Sequence, residues 1–377
     1  MEVWFWYLFV SPHMAGLAAE LALRGVRVNY VAKQRMSPSR KRQGWRSPPM
    51  PGVTLHVLED GASIMDLATA SHESSVHICE GIRGNGVIGD VQKILAKLGR
   101  FQMLTMEAVD DVGWKGLLKR IEYARRFYLA RSWLGGVLAI GHSTTEWVVA
   151  RGVPRAKVYP FAYFLEAPLI RELSRRDPDA SEFSLVYVGR LVPVKRVDSL
   201  LRAIAQSEIR DLTVIGDGPD LAELRALASE LEVRVTWKGQ LSSEEVQKIL
   251  ARADVLVLPS RYDGWGAVVS EALMAGARVI CSSNVGARRV AKMSGAGRIF
   301  QAGSVAGLSE SINAEVKAGR QSSADRAKVA DWAVCLGSRA GAKYLEDIVE
   351  HAAGRKPRPS EPWEIRAEAH APKCGSL

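Results

Sequence analysis

Cysteine is scarce. The 377 residues hold four, Cys79, Cys281, Cys335 and Cys374, with no CxxC pair among them. That spacing excludes a disulfide framework and suits reduced thiols, so a cytoplasmic protein is expected. Long hydrophobic runs are missing too: stretches such as Val3–Val10 and Val255–Pro259 fall short of the roughly 20 residues a membrane-spanning helix needs. Residues 1–25 have no basic segment ahead of their apolar stretch and no small-residue cleavage site after it, so they do not read as a signal peptide. No Ser/His/Asp order, zinc-ligand spacing or P-loop occurs, and nucleophilic hydrolysis, metal catalysis and NTPase chemistry lose their usual sequence support. No metal site is expected. Hydrophobic residues make up 47% and charged residues 24%, a globular balance that excludes disorder, collagen and coiled coil as the main state.

Acidic residues are absent where basic ones gather. Between Glu20 and Glu59 there is no carboxylate, while Arg24, Arg27, Lys33, Arg35, Arg40, Lys41, Arg42 and Arg46 all fall there. On a chain of formal net charge +10, such a cluster attracts anionic lipid or phosphorylated ligands, or is simply a solvated loop. Nucleic acid is not expected as a partner, since no zinc-knuckle spacing or DNA- or RNA-binding motif accompanies it.

The length predicts two domains. Residues 2–10 read as a buried strand ended by Ser11-Pro12, followed by a helix with Met14, Leu17, Ala18 and Leu21 on one face and Gly25 as its stop. Val26–Val31 is the next strand, which completes a βαβ unit and implies a parallel sheet. Val53–Val57, Val76–Ile78, Gln102–Met106 and Val137–Ile140 continue the series, with a polar helix around Lys115–Ser132 before the last. A charged, Pro-containing stretch, Arg171–Glu182, reads as a linker. After it, strands at 185–188, 212–215, 233–237, 255–258, 279–281 and 298–300 alternate with helices over about 120 residues, the pattern of a doubly wound α/β domain. The expected organisation is an N-terminal domain over 1–170, a C-terminal domain over 171–340, and a C-terminal helix over 341–377 whose last residues, from Gly354, form a mobile tail with four prolines. Two such domains leave a deep cleft between the carboxyl edges of their sheets, where open α/β sheets bind ligands.

Three motifs lie at strand ends of the second domain. In Val188-Gly189-Arg190-Leu191-Val192-Pro193-Val194-Lys195, a glycine permits close backbone approach and two cations suit a diphosphate. Ile215-Gly216-Asp217-Gly218-Pro219 turns a strand into a helix, Pro219 suiting the first helical turn. Between Pro259 and Ala272, a Gly-rich loop carries Asp263 and opens a helix near Val268 whose free N–H groups favour anions, with Glu271 one to two turns in. Carboxylates beside a phosphate site make sense when the ligand also bears vicinal hydroxyls. Phosphates plus a polyol describe a nucleotide sugar.

Gly189-Arg190-Leu191…Lys195, Gly216-Asp217-Gly218-Pro219, Trp237-Lys238-Gly239, Ala253-Asp254-Val255, Pro259-Ser260 and Asp263-Gly264-Trp265-Gly266…Glu271-Ala272…Ala275-Gly276 resemble the family 4 retaining glycosyltransferases of GT-B fold. The resemblance is dense over 185–300. It extends thinly to Ser11-Pro12-His13…Leu23-x-Gly25-x-x-Val28, Leu138–Gly141 and Gly152-Val153. It implies transfer of a sugar from a UDP- or GDP-sugar to a glycan or lipid-linked acceptor, with retention and without an obligatory metal, in bacterial exopolysaccharide, lipopolysaccharide or glycolipid synthesis. Arg190 and Lys195 would hold the diphosphate and Glu271 the ribose. Gly264, Trp265, Gly266, Ala267 and Val268 would lie against the phosphate and sugar, and backbone from Lys238 to Leu241 would meet the base. Where the family usually has Glu, this chain has Asp263, which shortens the reach by one carbon–carbon bond, roughly 1.5 Å.

On the acceptor side the resemblance implies a histidine at a strand's end. His77 is the first candidate, His13 the second and His142 the third, with Glu107 as a further acceptor-side group. Lys33–Arg46 would meet anionic lipid on the inner membrane face or a lipid-pyrophosphate acceptor. A nucleotide-sugar 2-epimerase of the same fold, or a degenerate transferase kept for binding or assembly, are the alternatives.

Overall fold

A computed structural model describes residues 1–36, 48–83, 86–166 and 183–370. The expected linker Arg171–Glu182, and Arg40, Lys41, Arg42 and Arg46 of the basic cluster, lie outside them. The chain forms two compact units, one of Met1–Glu166 with Gly337–Pro362 and one of Ala167–Leu336 with Trp363–Leu377.

The first unit is a parallel sheet of strands β1 (Glu2–Phe9), β2 (Arg27–Gln34), β3 (Val53–Val57), β4 (Val76–Glu80), β5 (Phe101–Glu107), β6 (Leu134–Ile140) and β7 (Val158–Phe161). They run in the order β3-β2-β1-β4-β5-β6-β7. Trp4, Phe5 and Trp6 of β1 are buried, which explains its near-continuous apolar run: a central strand with helices on both faces has no solvent side. β7 was not expected. It is short and contains Pro160, which a sheet tolerates at its edge, where β7 lies.

The second unit has β8 (Leu185–Val188), β9 (Asp211–Ile215), β10 (Arg234–Gly239), β11 (Val255–Leu258), β12 (Arg278–Ser282) and β13 (Gly297–Phe300), ordered β10-β9-β8-β11-β12-β13. All six expected strands are present, and both units are doubly wound Rossmann-like sheets. In each, strand order reverses once, between β1 and β4 and between β8 and β11. Ligands of open α/β sheets bind at the carboxyl ends of strands at such a switch point.

The C-terminal segment departs from expectation. The helix Ser338–Ala352 belongs to the first unit, burying Ala342, Tyr344, Leu345, Ile348 and Val349. Tyr344 donates to the Pro160 carbonyl at 3.1 Å, and a Cβ on Gly341 would sit 2.2 Å from the Phe164 ring. Nor are the described residues after Gly354, 355–370, a free tail. Arg358 donates to the Ala156 and Val158 carbonyls at 3.0 and 2.5 Å, and Pro362–His370 is a helix. Its Trp363 is buried near Trp265, ring centroids 6.5 Å apart. Prolines removed the periodicity without removing these anchors.

Candidate active site

In the second unit, the turns after β8 and β9 are bound to each other through the main chain. Gly189 N–H donates to the Ile215 carbonyl at 3.0 Å, Leu191 N–H to Asp217 at 2.9 Å, and Gly216 N–H to Gly239 at 2.8 Å. The approach leaves no room for side chains. A Cβ on Gly216, whose φ is +138°, would lie 1.9 Å from the Gly189 carbonyl oxygen, and one on Gly218 would lie 2.1 Å from that of Leu191. Both glycines are therefore demanded by packing.

The loop after β11 joins the same cluster. Arg261 N–H donates to the Val194 carbonyl at 2.8 Å, Asp263 N–H to Asn284 at 3.2 Å, and Gly286 N–H to the Asp263 carbonyl at 2.9 Å. Gly266, at φ +83°, precedes the helix Ala267–Met274, whose start no side chain caps. Lys195 ends a short 3-10 turn, Pro193–Lys195, and its ammonium donates to the Asp263 carboxylate at 2.5 Å. Both side chains are largely shielded, 18% and 15% exposed, so this pair is stronger than a surface one. It sits beside the open helix start, an arrangement suited to anions. Arg190 is exposed, and its carbonyl accepts the Tyr187 hydroxyl at 2.9 Å.

Glu271 keeps some contact with solvent, yet burial pushes its carboxyl up to about 7. No ion pair or side-chain hydrogen bond offsets that cost among the described residues. A carboxyl of this kind is ready to accept hydrogen bonds from ligand hydroxyls.

Gly189, Arg190, Lys195, Gly216, Asp263, Gly264, Gly266, Ala267, Val268 and Glu271 thus follow the carboxyl ends of β8, β9 and β11. Lys238 is exposed at the end of β10, and Leu241 packs with Val186, Ile215 and Ala253. Trp265 needs correction as a ligand contact: the residue is 3% exposed, its indole N–H donates to the Ser270 hydroxyl at 3.1 Å, and its carbonyl accepts the Ala287 N–H at 2.8 Å. Asn284–Gly286, which clamp the Asp263 loop, were missed. Gly286 was the available signal, since a Cβ there would lie 1.8 Å from the Gly264 carbonyl oxygen.

In the first unit His77 is corrected. It is the second residue of β4, at the amino end of the sheet and away from the ligand edge. It is fully buried. Its Nδ1 accepts the Trp6 indole N–H at 3.0 Å, and its Nε2 is bonded to the Ser75 hydroxyl at 2.8 Å. Burial, helped by the Arg100 charge, pushes its pKa down to about 3. It is a packed, neutral core histidine. Glu107 is the last residue of β5, and His13 and His142 follow the carboxyl ends of β1 and β6. His13 stacks on Tyr163, centroids 4.8 Å apart. Glu80, at the end of β4 with its carboxylate accepting Leu8 N–H at 2.9 Å, shares that edge and was missed.

Residues 171–328 match the family of glycosyl transferases group 1. A D-inositol 3-phosphate glycosyltransferase from Mycolicibacterium smegmatis is 32% identical over 188 residues, 47% of this chain and 43% of that protein. A GDP-mannose-dependent monoacylated alpha-(1-6)-phosphatidylinositol monomannoside mannosyltransferase from Corynebacterium glutamicum is 34% identical over 110 residues, 26% of this chain and 29% of that one. The chain spans less than half the length of these curated relatives. Among solved structures, HepE of Anabaena in complex with UDP aligns over 93% of this chain and 100% of its own at TM-score 0.71 and 14% identity. That likeness establishes the GT-B type of fold.

Proposed function

We propose that the chain is a retaining, metal-independent family 4 glycosyltransferase that moves a sugar from a nucleotide-diphosphate sugar to an acceptor hydroxyl. The single observation that carries this reading is Lys195, held on Asp263 at 2.5 Å, beside an uncapped helix start at the β8/β11 switch point. The barrier is glycosidic C–O cleavage, with positive charge growing at the anomeric carbon and negative charge on the departing phosphate. Lys195, Arg190 and the helix start stabilise the phosphate electrostatically. On a front face, that phosphate helps take the acceptor's proton. Glu271 accepts from ribose hydroxyls, and Asp263 positions the Lys195 ammonium. The donor is a UDP- or GDP-sugar. UDP occupies HepE, and the Corynebacterium relative is named for GDP-mannose.

The acceptor is a glycan or a lipid-linked sugar, met by His13, Glu107 and His142, and the setting is bacterial exopolysaccharide, lipopolysaccharide or glycolipid synthesis at the cytoplasmic membrane face. Contact of Lys33–Arg46 with anionic lipid belongs to the same reading, and within that segment Arg35 pairs with Asp60 at 3.6 Å.

A panel of UDP-, GDP- and ADP-sugars in thermal shift identifies the donor, since a ligand of the native state raises the melting temperature. With that donor, Lys195→Ala is expected to lower turnover at least about 100-fold. Near-normal transfer by that variant would refute the assignment, and donor conversion without an acceptor would mark an epimerase instead.

A further inference from the structure

The helix Gly113–Ala130 between β5 and β6 points apolar side chains the wrong way for a soluble fold. Its inner face is complete without them: Phe127 and Ala130 join the core of the first unit, and a Cβ on Gly116 would lie 1.7 Å from the Asp111 carbonyl oxygen. On the outer face, Trp114 is 72% exposed, and Leu117, Leu118, Ile121, Tyr128 and Leu129 are each more than half exposed. At 100° per residue these six fall within an arc of about 120°, a continuous stripe. Chance scatter does not account for it. Of thirteen exposed large apolar side chains among the described residues, seven lie between Val112 and Leu129. Monomeric soluble proteins rarely present so contiguous a patch without a partner.

Charge selects the partner. The helix sequence holds five Lys and Arg against one carboxylate, and that carboxylate, Glu122, is paired with Arg126. Lys115 and Lys119 line one flank of the stripe and Arg125 sits within it. Lys115 lies over the Trp114 ring at 5.4 Å, and Arg131 over Tyr128 at 3.9 Å. Pairing this face with its own copy about a twofold axis would set cation against cation. No helix among the described residues is long and apolar enough to cross a membrane, but a helix with this division lies along one, its apolar stripe among the acyl chains and its cations among lipid phosphates. Trp and Tyr at the stripe's two ends suit the headgroup boundary.

We infer that Gly113–Ala130 is an interfacial helix that seats the first unit on an anionic bilayer. The inference stands on this helix, whatever reaction the second unit performs. It also differs in place from the Lys33–Arg46 contact. The helix follows the carboxyl end of β5, where Glu107 lies, so the bilayer would reach the edge assigned above to the acceptor.

The test is co-sedimentation of the full chain with vesicles of phosphatidylcholine, alone or mixed with phosphatidylglycerol. Binding to the mixed vesicles is expected, with little to phosphatidylcholine alone. Trp114→Gln/Leu118→Gln/Ile121→Gln should lower the bound fraction at least about tenfold, and Lys115→Gln/Lys119→Gln/Arg125→Gln should remove most of its salt dependence. Both variants should keep the parent melting temperature, because the side chains are exposed. No binding to the anionic vesicles, or unchanged binding by the apolar variant, overturns the inference. So does a lipid-free dimer that the apolar variant dissociates, which would make the stripe a self-association surface.

Discussion

The two sheets follow one plan and equip their ligand edges by opposite means. In the second unit the turns after β8, β9 and β11 are bonded through main-chain atoms, with glycines wherever two backbones approach within reach of a Cβ. In the first unit Gly81 N–H also donates to Thr105 and Gly141 N–H to Phe161, but a Cβ on Gly81 would meet only the Arg83 side chain. The polar groups of that edge are separate side chains, His13, Glu80, Glu107 and His142, each at or just after the end of its own strand. A backbone cluster tolerates few substitutions, so it writes itself into the sequence as spaced glycines. An edge built from side chains leaves only single polar residues, and the position along the strand decides whether each reaches the ligand side.

The largest expected effect tests that contrast directly. Gly216→Ala forces a Cβ toward the Gly189 carbonyl oxygen and should cost about 3 kcal/mol or more, from overpacking plus an unfavourable φ. Gly81→Ala, at φ +71° with only the Arg83 side chain nearby at 3.6 Å, should cost about 1 kcal/mol. Denaturant unfolding measures both, and equal losses would break the comparison.

His77→Ala comes next. It removes a buried ring and strands the Trp6 indole N–H, so a loss of about 2–3 kcal/mol is expected at neutral pH. Donor-induced thermal shifts should be unchanged, as befits a core residue. The pH dependence carries a further sign. The folded-state pKa of about 3 lies below the ordinary 6.5, so the unfolded chain binds the extra proton and parent stability falls as pH drops below 6.5. The variant's deficit should shrink on acidification, and a constant deficit from pH 7 to 5 would contradict the buried, neutral ring.

Glu271→Gln should give the smallest change in stability, of opposite sign. Its carboxyl is raised from 4.5 to about 7, so the folded state holds the extra proton and stability is lost as pH rises through that interval. The amide should therefore raise the melting temperature at pH 8 and make no difference near pH 4. It should weaken donor binding at the same time. A variant that is no more stable at pH 8 would show that the carboxylate is well solvated.

Legibility followed the same division. Alternating strands and helices predicted both sheets, and three glycine-bearing turns predicted the cluster around Lys195. Ring burial at Trp265 was hidden, because a loop tryptophan reads alike whether it stacks on ligand or core. His77 misled because Val76-His77-Ile78 looks the same at either end of a strand. The helix Gly113–Ala130 read as polar from its charges, and only the direction of its inner face shows that the apolar residues are outside. The C-terminal anchors were lost in prolines, which erase periodicity while leaving Arg358 and Trp363 to fasten the chain.

Neither unit is a single run of chain: the first is closed by Gly337–Pro362, and the second takes back Trp363 onward. During synthesis, then, the leading βαβ segment waits for the whole second sheet to be made before its covering helix leaves the ribosome. The apolar flank of Pro12–Leu23 stays open through that delay, when a chaperone has its best opportunity to bind. Cutting the gene at residue 166 would yield a fragment in that unfinished condition rather than an independent module.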